Sequence, residues 1–284
     1  MREPDKTLLQ THLRKIVGER TAHLSDAHLV EVFRYVKESL ETYGYAVELD
    51  PFTFQSETFE NIIARKNGMK SDARIIVGAH FDSVPGSPGA DDNASGVSVM
   101  LELARILAER KWNHTVEFIG FHMEEWNMIG SQAYVEKLKR DRIQIRGMIS
   151  LEMVGYATEE PGTQRMPPGF GLFYPKTGNF IAAVGNFRSF GLLNLFKTHM
   201  KQVESLAVET LVIPFNGIVL PPTRLSDHSP FWDAGYPALL ITDTSFYRNP
   251  HYHGRTDTIE TLNLDFMLNV TKGTLRALTR LDES

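Results

Sequence analysis

The 284-residue sequence contains no cysteine. This absence excludes disulfides, thiolate metal ligands and a cysteine nucleophile, so a bound metal would depend on His, Asp and Glu side chains. No run approaches the roughly 20 apolar residues of a membrane-spanning helix, and residues 1–20 lack the apolar core of a signal peptide. We therefore expect no membrane partner. The chain as written is expected in the cytoplasm, or in a secreted or periplasmic location if a leader has been removed.

An excess of positive charge is also missing. The 35 Asp and Glu residues outnumber the 30 Lys and Arg residues, and the net charge of -5 gives no electrostatic basis for binding nucleic acid. A hydrophobic content of 42% is sufficient for a substantial core. Because no repeat, low-complexity tract or linker interrupts the chain, we predict a single domain over residues 1–284. The oligomeric state is left open.

Hydrophobic periodicity predicts alternating helices and strands. The predicted helices cover about 5–17, 26–43, 95–109, 130–138, 189–203 and 263–279, and Ser25 or Asp26 is expected to cap the second. The predicted strands cover 45–49, 61–65, 74–79, 116–121, 147–151, 179–184, 209–213 and 237–241. This alternation favours a three-layer αβα fold with a central mixed, mostly parallel sheet, in which ligands bind beyond the carboxyl ends of the strands.

Histidines and acids gather at that predicted edge. They are His80 at a strand end, Asp91 and Asp92 in the next loop, Glu124 and Glu125 after strand 116–121, Glu152 after strand 147–151, and His228, His251 and His253 in two late loops. Such groups favour a pair of zinc ions bridged by a loop carboxylate. One of the two adjacent glutamates would then bind metal while the other accepts a proton from water. Asp82 is placed to orient the His80 ring.

Six motifs give these residues a context. They are HFDS (80–83), GADDNASGV (89–97), FHMEEWNMIGS (121–131), SLEMVGY (150–156), SDHSPFWDAGYP (226–237) and HYHGRTDT (251–258). In this order the motifs resemble those of the co-catalytic two-zinc aminopeptidases. That family also includes glutamate carboxypeptidase, glutaminyl cyclase and the catalytically inactive transferrin-receptor ectodomain. The resemblance implies the zinc-exopeptidase fold and a peptide or aminoacyl substrate.

The resemblance also implies roles for single residues. Two Zn²⁺ per chain would be held by His80 and Glu152 at one site, by Glu125 and His253 at the other, and by a bridging Asp92. Glu124 is implied as the general base and later proton donor, and Tyr252 as a hydrogen-bond donor to the tetrahedral oxyanion. The peptide after Asp92 is expected to be cis. Glu152 stands where the family more often has aspartate.

We predict a zinc-dependent exopeptidase, in first place an aminopeptidase, whose substrate pocket is shaped by the long loops 155–178 and 214–228. Three alternatives stay open at this point. A glutaminyl cyclase would use one zinc on the same fold. A non-catalytic binding domain would have lost ligands, whereas every expected ligand position is filled here. A carboxypeptidase would need a positive pocket, for which the candidates are Arg165, Arg188, Arg224, Arg248 and Arg255.

Overall fold

The computed structural model describes residues 2–22 and 27–284, and only the backbone at 71 and 72. The expected cap at Ser25 or Asp26 lies outside these residues. The helices of the described part are α1 (Lys6–Ile16), α2 (Ala27–Thr42), α3 (Gly96–Leu107), α4 (Ile129–Arg140), α5 (Phe190–Met200), α6 (His228–Asp233) and α7 (Leu264–Glu283). The strands are β1 (Ala46–Phe54), β2 (Glu57–Lys66), β3 (Ser71–His80), β4 (His114–Phe121), β5 (Ile145–Glu152), β6 (Phe180–Asn186), β7 (Ala207–Ile213) and β8 (Ala238–Thr242).

The strands form one sheet with the order β1-β2-β4-β3-β5-β8-β6-β7. The central strands β4, β3, β5 and β8 run parallel, as do β6 and β7. Antiparallel pairing joins β1 to β2, β2 to β4 and β6 to β8. Because β3, β4, β5 and β8 point the same way, their carboxyl ends meet at one edge. The predicted mixed, mostly parallel sheet is confirmed.

Helices cover both faces of this sheet. The larger core packs α1, α2, α3, α5 and α7 against one face, around side chains such as Leu101, Phe118 and Leu278. The smaller core packs α4 and α6 against the other face, around Tyr134 and Trp232. The predicted three-layer architecture is therefore confirmed. Among the described residues, no helix combines the length and the apolar character needed to cross a bilayer.

Two local differences from the predicted elements have physical reasons. Strand β1 continues past Leu49 through Pro51, which pairs with Glu60. A proline is tolerated there because β1 is an edge strand, where one side of the backbone needs no partner. The short helix α6, which starts at His228, was not predicted because six residues are too few for a clear helical period.

Candidate active site

The loop between β3 and α3 turns sharply at Gly89, whose φ is 61°. A Cβ atom at this position would lie 2.4 Å from the carbonyl oxygen of Asp92, so only glycine fits. The turn brings Asp92 back beside His80, which is fully buried at the end of β3. The Asp92–Asn93 peptide is cis, as expected.

The two carboxylate oxygens of Asp92 face two different histidines. Oδ1 lies 3.3 Å from Nε2 of His80, and Oδ2 lies 3.1 Å from Nε2 of His253. Glu152 Oε1 and Oε2 are each 3.4 Å from the same nitrogen of His80, and Glu125 Oε2 is 3.3 Å from that of His253. The structure thus brings the five expected ligands together, with Asp92 between two groups.

Glu124 and Glu125 occupy different places in the cluster, although they are adjacent in sequence. Glu125 contacts His253, whereas Glu124 Oε2 lies 3.8 Å from His80 Nε2. Asp82 orders this turn, because its two oxygens accept the backbone N–H groups of Glu124 and Glu125 at 3.2 Å each. Asp82 Oδ1 also lies 3.5 Å from Nδ1 of His80, on the side of the ring away from the cluster.

One serine holds the Glu152 side chain, and a second serine contacts the first. Ser226 Oγ, just before α6, donates a hydrogen bond to Glu152 Oε2 at 2.8 Å. Ser226 Oγ is in turn 2.9 Å from Ser150 Oγ on β5. Ser226 is therefore the residue of the SDHSPFWDAGYP motif that contacts the cluster. Asp227 and His228 are buried and do not line the cavity described below.

The backbone around Asp92 is held by an aspartate that the sequence did not single out. Asp257 accepts the N–H of Asp91 at 2.9 Å and that of Asp92 at 3.2 Å. Asn93 donates to the carbonyl of Leu151 at 2.8 Å and thereby ties the loop to the end of β5. These contacts fix the loop that carries Asp92 on two sides.

Arg20 is a second residue that sequence reasoning missed. Its side chain is fully buried behind the site loop and donates to five carbonyl groups. These are Phe81 (2.8 Å), Gly18 and Pro88 (2.7 Å each), Gly89 (3.0 Å) and Ile16 (3.1 Å). Burial lowers the pKa of Arg20 to about 10, while nearby Asp82 and Asp92 act to raise it. The guanidinium stays charged and braces the loop that carries Asp92.

Tyr252 lies against the other end of the cluster. Its ring stacks on that of His253 with centroids 3.7 Å apart and an interplanar angle of 20°. His253 has a φ of 57°, in the left-handed region that non-glycine residues seldom adopt. Such outliers concentrate at functional sites. Burial, followed by the charges of Asp92 and Glu125, raises the pKa of Tyr252, so its hydroxyl remains a proton donor.

The acids raise one another's pKa values. Burial and the carboxylates of Glu152 and Glu125 raise the pKa of Glu124 well above its usual value, against the opposing effect of His80. Burial and Asp92 raise the pKa of Glu125 to about 7. Burial acts to lower the pKa of His80, but Glu152 and Glu124 outweigh it and raise that pKa. This concentration of negative charge favours the binding of cations.

The donor set fits zinc. His80, Asp92 and Glu152 bring one ligand atom each to within 4.8 Å of one another, and so do Asp92, Glu125 and His253. All are imidazole nitrogens or carboxylate oxygens, which zinc accepts as ligands. Within the described chain, the buried Oε1 of Glu125 has no hydrogen-bond partner. A cation is the expected partner for such an oxygen.

A cavity of about 420 Å³ opens beside the cluster. Asp92, Glu124, Glu125 and Glu152 line one end of it, together with Tyr252 and His253. The rest of the lining is mainly apolar and comes from β6, β7, β8, the loops 164–174 and 220–225, and residues 127–128 and 244–247. The predicted contribution of the two long loops to the pocket is therefore confirmed for these segments.

This arrangement is that of a metal-dependent hydrolase with an adjoining substrate pocket. Residues 61–278 match the model of peptidase family M28, and the chain belongs to that family. An Escherichia coli K12 protein of uncharacterized function, YfbL, is 34% identical over 94% of this chain and 84% of its own length. Leucine aminopeptidase 1 of Blastomyces gilchristii is 31% identical over 76% of this chain. The match spans about half (54%) of that aminopeptidase.

Solved structures agree with this assignment. BSAP, a zinc aminopeptidase from Bacillus subtilis, is 28% identical with a TM-score of 0.59, covering 80% of this chain and 51% of that one. An Aneurinibacillus aminopeptidase (18% identity, TM-score 0.76, covering 98% and 94%) shares the fold. A Porphyromonas gingivalis glutaminyl cyclase (19%, 0.71, covering 97% and 96%) shares it too. The predicted membership of the zinc aminopeptidase family is confirmed, and zinc is the metal that this family and the donor set support.

Proposed function

We propose that the protein is an aminopeptidase that uses two zinc ions per chain to hydrolyse the first peptide bond of its substrate. The observation that carries the proposal is the position of Asp92, whose two oxygens lie 3.3 Å and 3.1 Å from the nitrogens of two different histidines. A carboxylate so placed suits a bridge between two cations. His80 and Glu152 would complete one site, and Glu125 and His253 the other.

The proposed mechanism assigns the proton transfers to Glu124. Zinc would supply Lewis-acid polarisation of the scissile carbonyl and would lower the pKa of water. Glu124 accepts the proton of the attacking water on its carboxylate and then delivers it to the nitrogen of the leaving amine. The Tyr252 hydroxyl donates a hydrogen bond to the oxyanion, and the Asp82 carboxylate, 3.5 Å from Nδ1 of His80, orients that ring through its charge.

The charge of the cavity favours an aminopeptidase over a carboxypeptidase. No lysine or arginine is among the described residues that line it. Of the five candidate arginines, Arg224 pairs with Asp233 and Arg248 stacks over Phe180. Arg165 donates to the carbonyl of Phe246, and Arg188 and Arg255 do not line the cavity. The acidic end of the cavity attracts the free ammonium group of a peptide and repels a terminal carboxylate.

Glutaminyl cyclase is the second candidate, because a protein of that name has the same fold. Asp92 belongs to two groups of ligand atoms, one with His80 and Glu152 and one with Glu125 and His253, and this favours a two-metal site over a single-metal one. Titration of the metal-free protein with zinc separates the two functions. Two equivalents should restore peptidase activity, whereas restoration by one equivalent, with turnover of an N-terminal glutamine peptide, would favour the cyclase.

The test of the mechanism is the substitution Glu124→Gln. Removal of a general base slows a reaction by roughly 10²- to 10⁴-fold, so aminoacyl 4-nitroanilide hydrolysis should nearly vanish while zinc content stays at the wild-type value. An N-acetylated substrate should be inert towards the wild type. Near wild-type turnover by the variant would contradict the role of Glu124, and cleavage of the blocked substrate would contradict the aminopeptidase assignment.

A further inference from the structure

The far end of the cavity carries a carboxylate that the proposed mechanism does not use. Glu209, on β7, lines the same cavity as Glu124 and His253. Its side chain is partly buried. Within the described chain, it forms neither a hydrogen bond nor an ion pair. A half-buried carboxylate that lines a mainly apolar cavity and has no protein partner is free to pair with a cationic ligand.

The sheet register places Glu209 in line with the metal cluster. Glu152 pairs with Thr242, Thr242 with Ala182, and Ala182 with Glu209. Directly paired residues project from the same face of a sheet, so the four side chains form one row across β5, β8, β6 and β7. Three interstrand spacings separate the ends of this row by about 14 Å.

The middle of the row is open and mainly apolar. Ala182 and Thr242 line the cavity, and the small side chain of Ala182 leaves space above β6. Phe180 and Val184, two residues to either side of Ala182 on the same strand, line the cavity beside it. Ile181 belongs instead to the larger core, on the opposite face of the sheet. A substrate side chain can therefore extend along this row without meeting a large residue.

Residues of the loop 164–174 also contribute apolar side chains to the cavity wall. Phe170 and Tyr174 line the cavity, and their rings stack with centroids 6.0 Å apart. The Tyr174 hydroxyl donates to the carbonyl of Thr210 at 2.9 Å, which ties the loop to β7 next to Glu209. The route from the metal cluster to Glu209 is thus an apolar passage with a carboxylate at its end.

We propose that Glu209 is a specificity-determining residue, which binds the cationic end of an N-terminal lysine or arginine side chain. The inference rests on the proposed aminopeptidase function. Lysine and arginine have an apolar stem that suits the passage and a charged head that suits Glu209. The lysine ammonium lies about 6 Å from its Cα, a little under half of the row of about 14 Å, so the side chain of a substrate held at the metal cluster extends along the row towards Glu209.

The test compares lysyl and norleucyl 4-nitroanilides, because norleucine has an unbranched apolar stem like that of lysine but no ammonium group. The wild type should have a kcat/KM at least about 10-fold higher for the lysyl substrate. Glu209→Gln should lower the lysyl-to-norleucyl ratio by roughly 10- to 100-fold, since the paired charge is lost. Arginyl substrates should follow the lysyl ones.

Glu204→Gln is the matched control, because it removes an exposed carboxylate shortly before β7 that does not line the cavity. The lysyl-to-norleucyl ratio of kcat/KM for Glu204→Gln should equal that of the wild type. Thermal melting should verify that both variants are folded. A wild type that prefers norleucine, or equal ratios in the two variants, would overturn the role of Glu209 alone. Failure of the zinc-loaded wild type on every substrate would overturn the proposed function, and this inference with it.

Discussion

Replacement of Arg20 by methionine tests how the fold holds the site. Methionine fills much of the same space but supplies no donor, so five carbonyl groups lose a hydrogen bond. Those of Pro88 and Gly89 keep a backbone donor from Gly18 and Ala94, whereas those of Phe81 and Gly18 lose the donor that Arg20 supplies. A buried polar group left without a partner costs about 1–3 kcal/mol. The cost is partly offset, because a charge no longer has to be buried.

We expect the free energy of unfolding to fall by about 3–5 kcal/mol, the range for breaking a buried charged network. At roughly 2–4 °C per kcal/mol for a large domain, Tm should fall by about 6–20 °C. Zinc affinity should also fall, by about 10-fold, because the loop that presents Asp92 is no longer braced.

Urea unfolding followed by circular dichroism measures the free energy of unfolding, and competition with a chromogenic chelator measures the zinc affinity. Arg14→Met is the matched control, since Arg14 is exposed on α1. The free energy of unfolding of Arg20→Lys should lie between those of Arg20→Met and Arg14→Met, because lysine keeps the charge but lacks the planar set of guanidinium donors. A free energy of unfolding for Arg20→Met within about 1 kcal/mol of the control would refute this reasoning, because a single carbonyl left without its partner already costs that much.

Two further predictions concern the residues around α6. Ser226→Ala removes the hydrogen bond to Glu152 and should weaken zinc binding by about 10-fold in chelator competition, and unchanged affinity would contradict that role. Burial lowers the pKa of His228 to about 3, so the folded chain keeps this ring neutral where the unfolded chain is protonated. Its contribution to stability is complete above pH 6.5 and is lost as the pH falls towards 3. The stability gap between wild type and His228→Gln should therefore shrink over that window in urea unfolding, and a constant gap would contradict it.

The sequence was informative wherever a local pattern determines the structure. Continuous apolar runs marked the strands that end at His80 and Glu152, and the resemblance of the six motifs to those of the two-zinc aminopeptidases implied the residues of the cluster. The five expected ligands lie together because the parallel strands deliver their carboxyl ends to one edge. The roles of these residues stay predictions until the variants are measured.

Neither the order of the strands nor the buried contacts that support the site could be predicted from the sequence. Strand order depends on pairings between distant segments, such as β6 with β8, for which no local pattern exists. Arg20 was missed because arginine is usually exposed, and nothing near it in sequence reveals its five buried carbonyl partners. Glu209 was missed because its significance comes from the row across four strands, not from its neighbours along β7.

The metal cluster and the wall of the cavity are built from different parts of the chain. The proposed ligand Asp92 lies in a loop that the buried contacts of Asp257 and Asn93 hold in place. The cavity wall, by contrast, is built partly from the loops 164–174 and 220–225. A change in those loops or at Glu209 should therefore alter which N-terminal residue is accepted while leaving zinc affinity unchanged. Parallel measurement of zinc affinity and substrate ratios in Glu209→Gln tests that separation, because a loss of zinc binding would mean that the two parts are coupled.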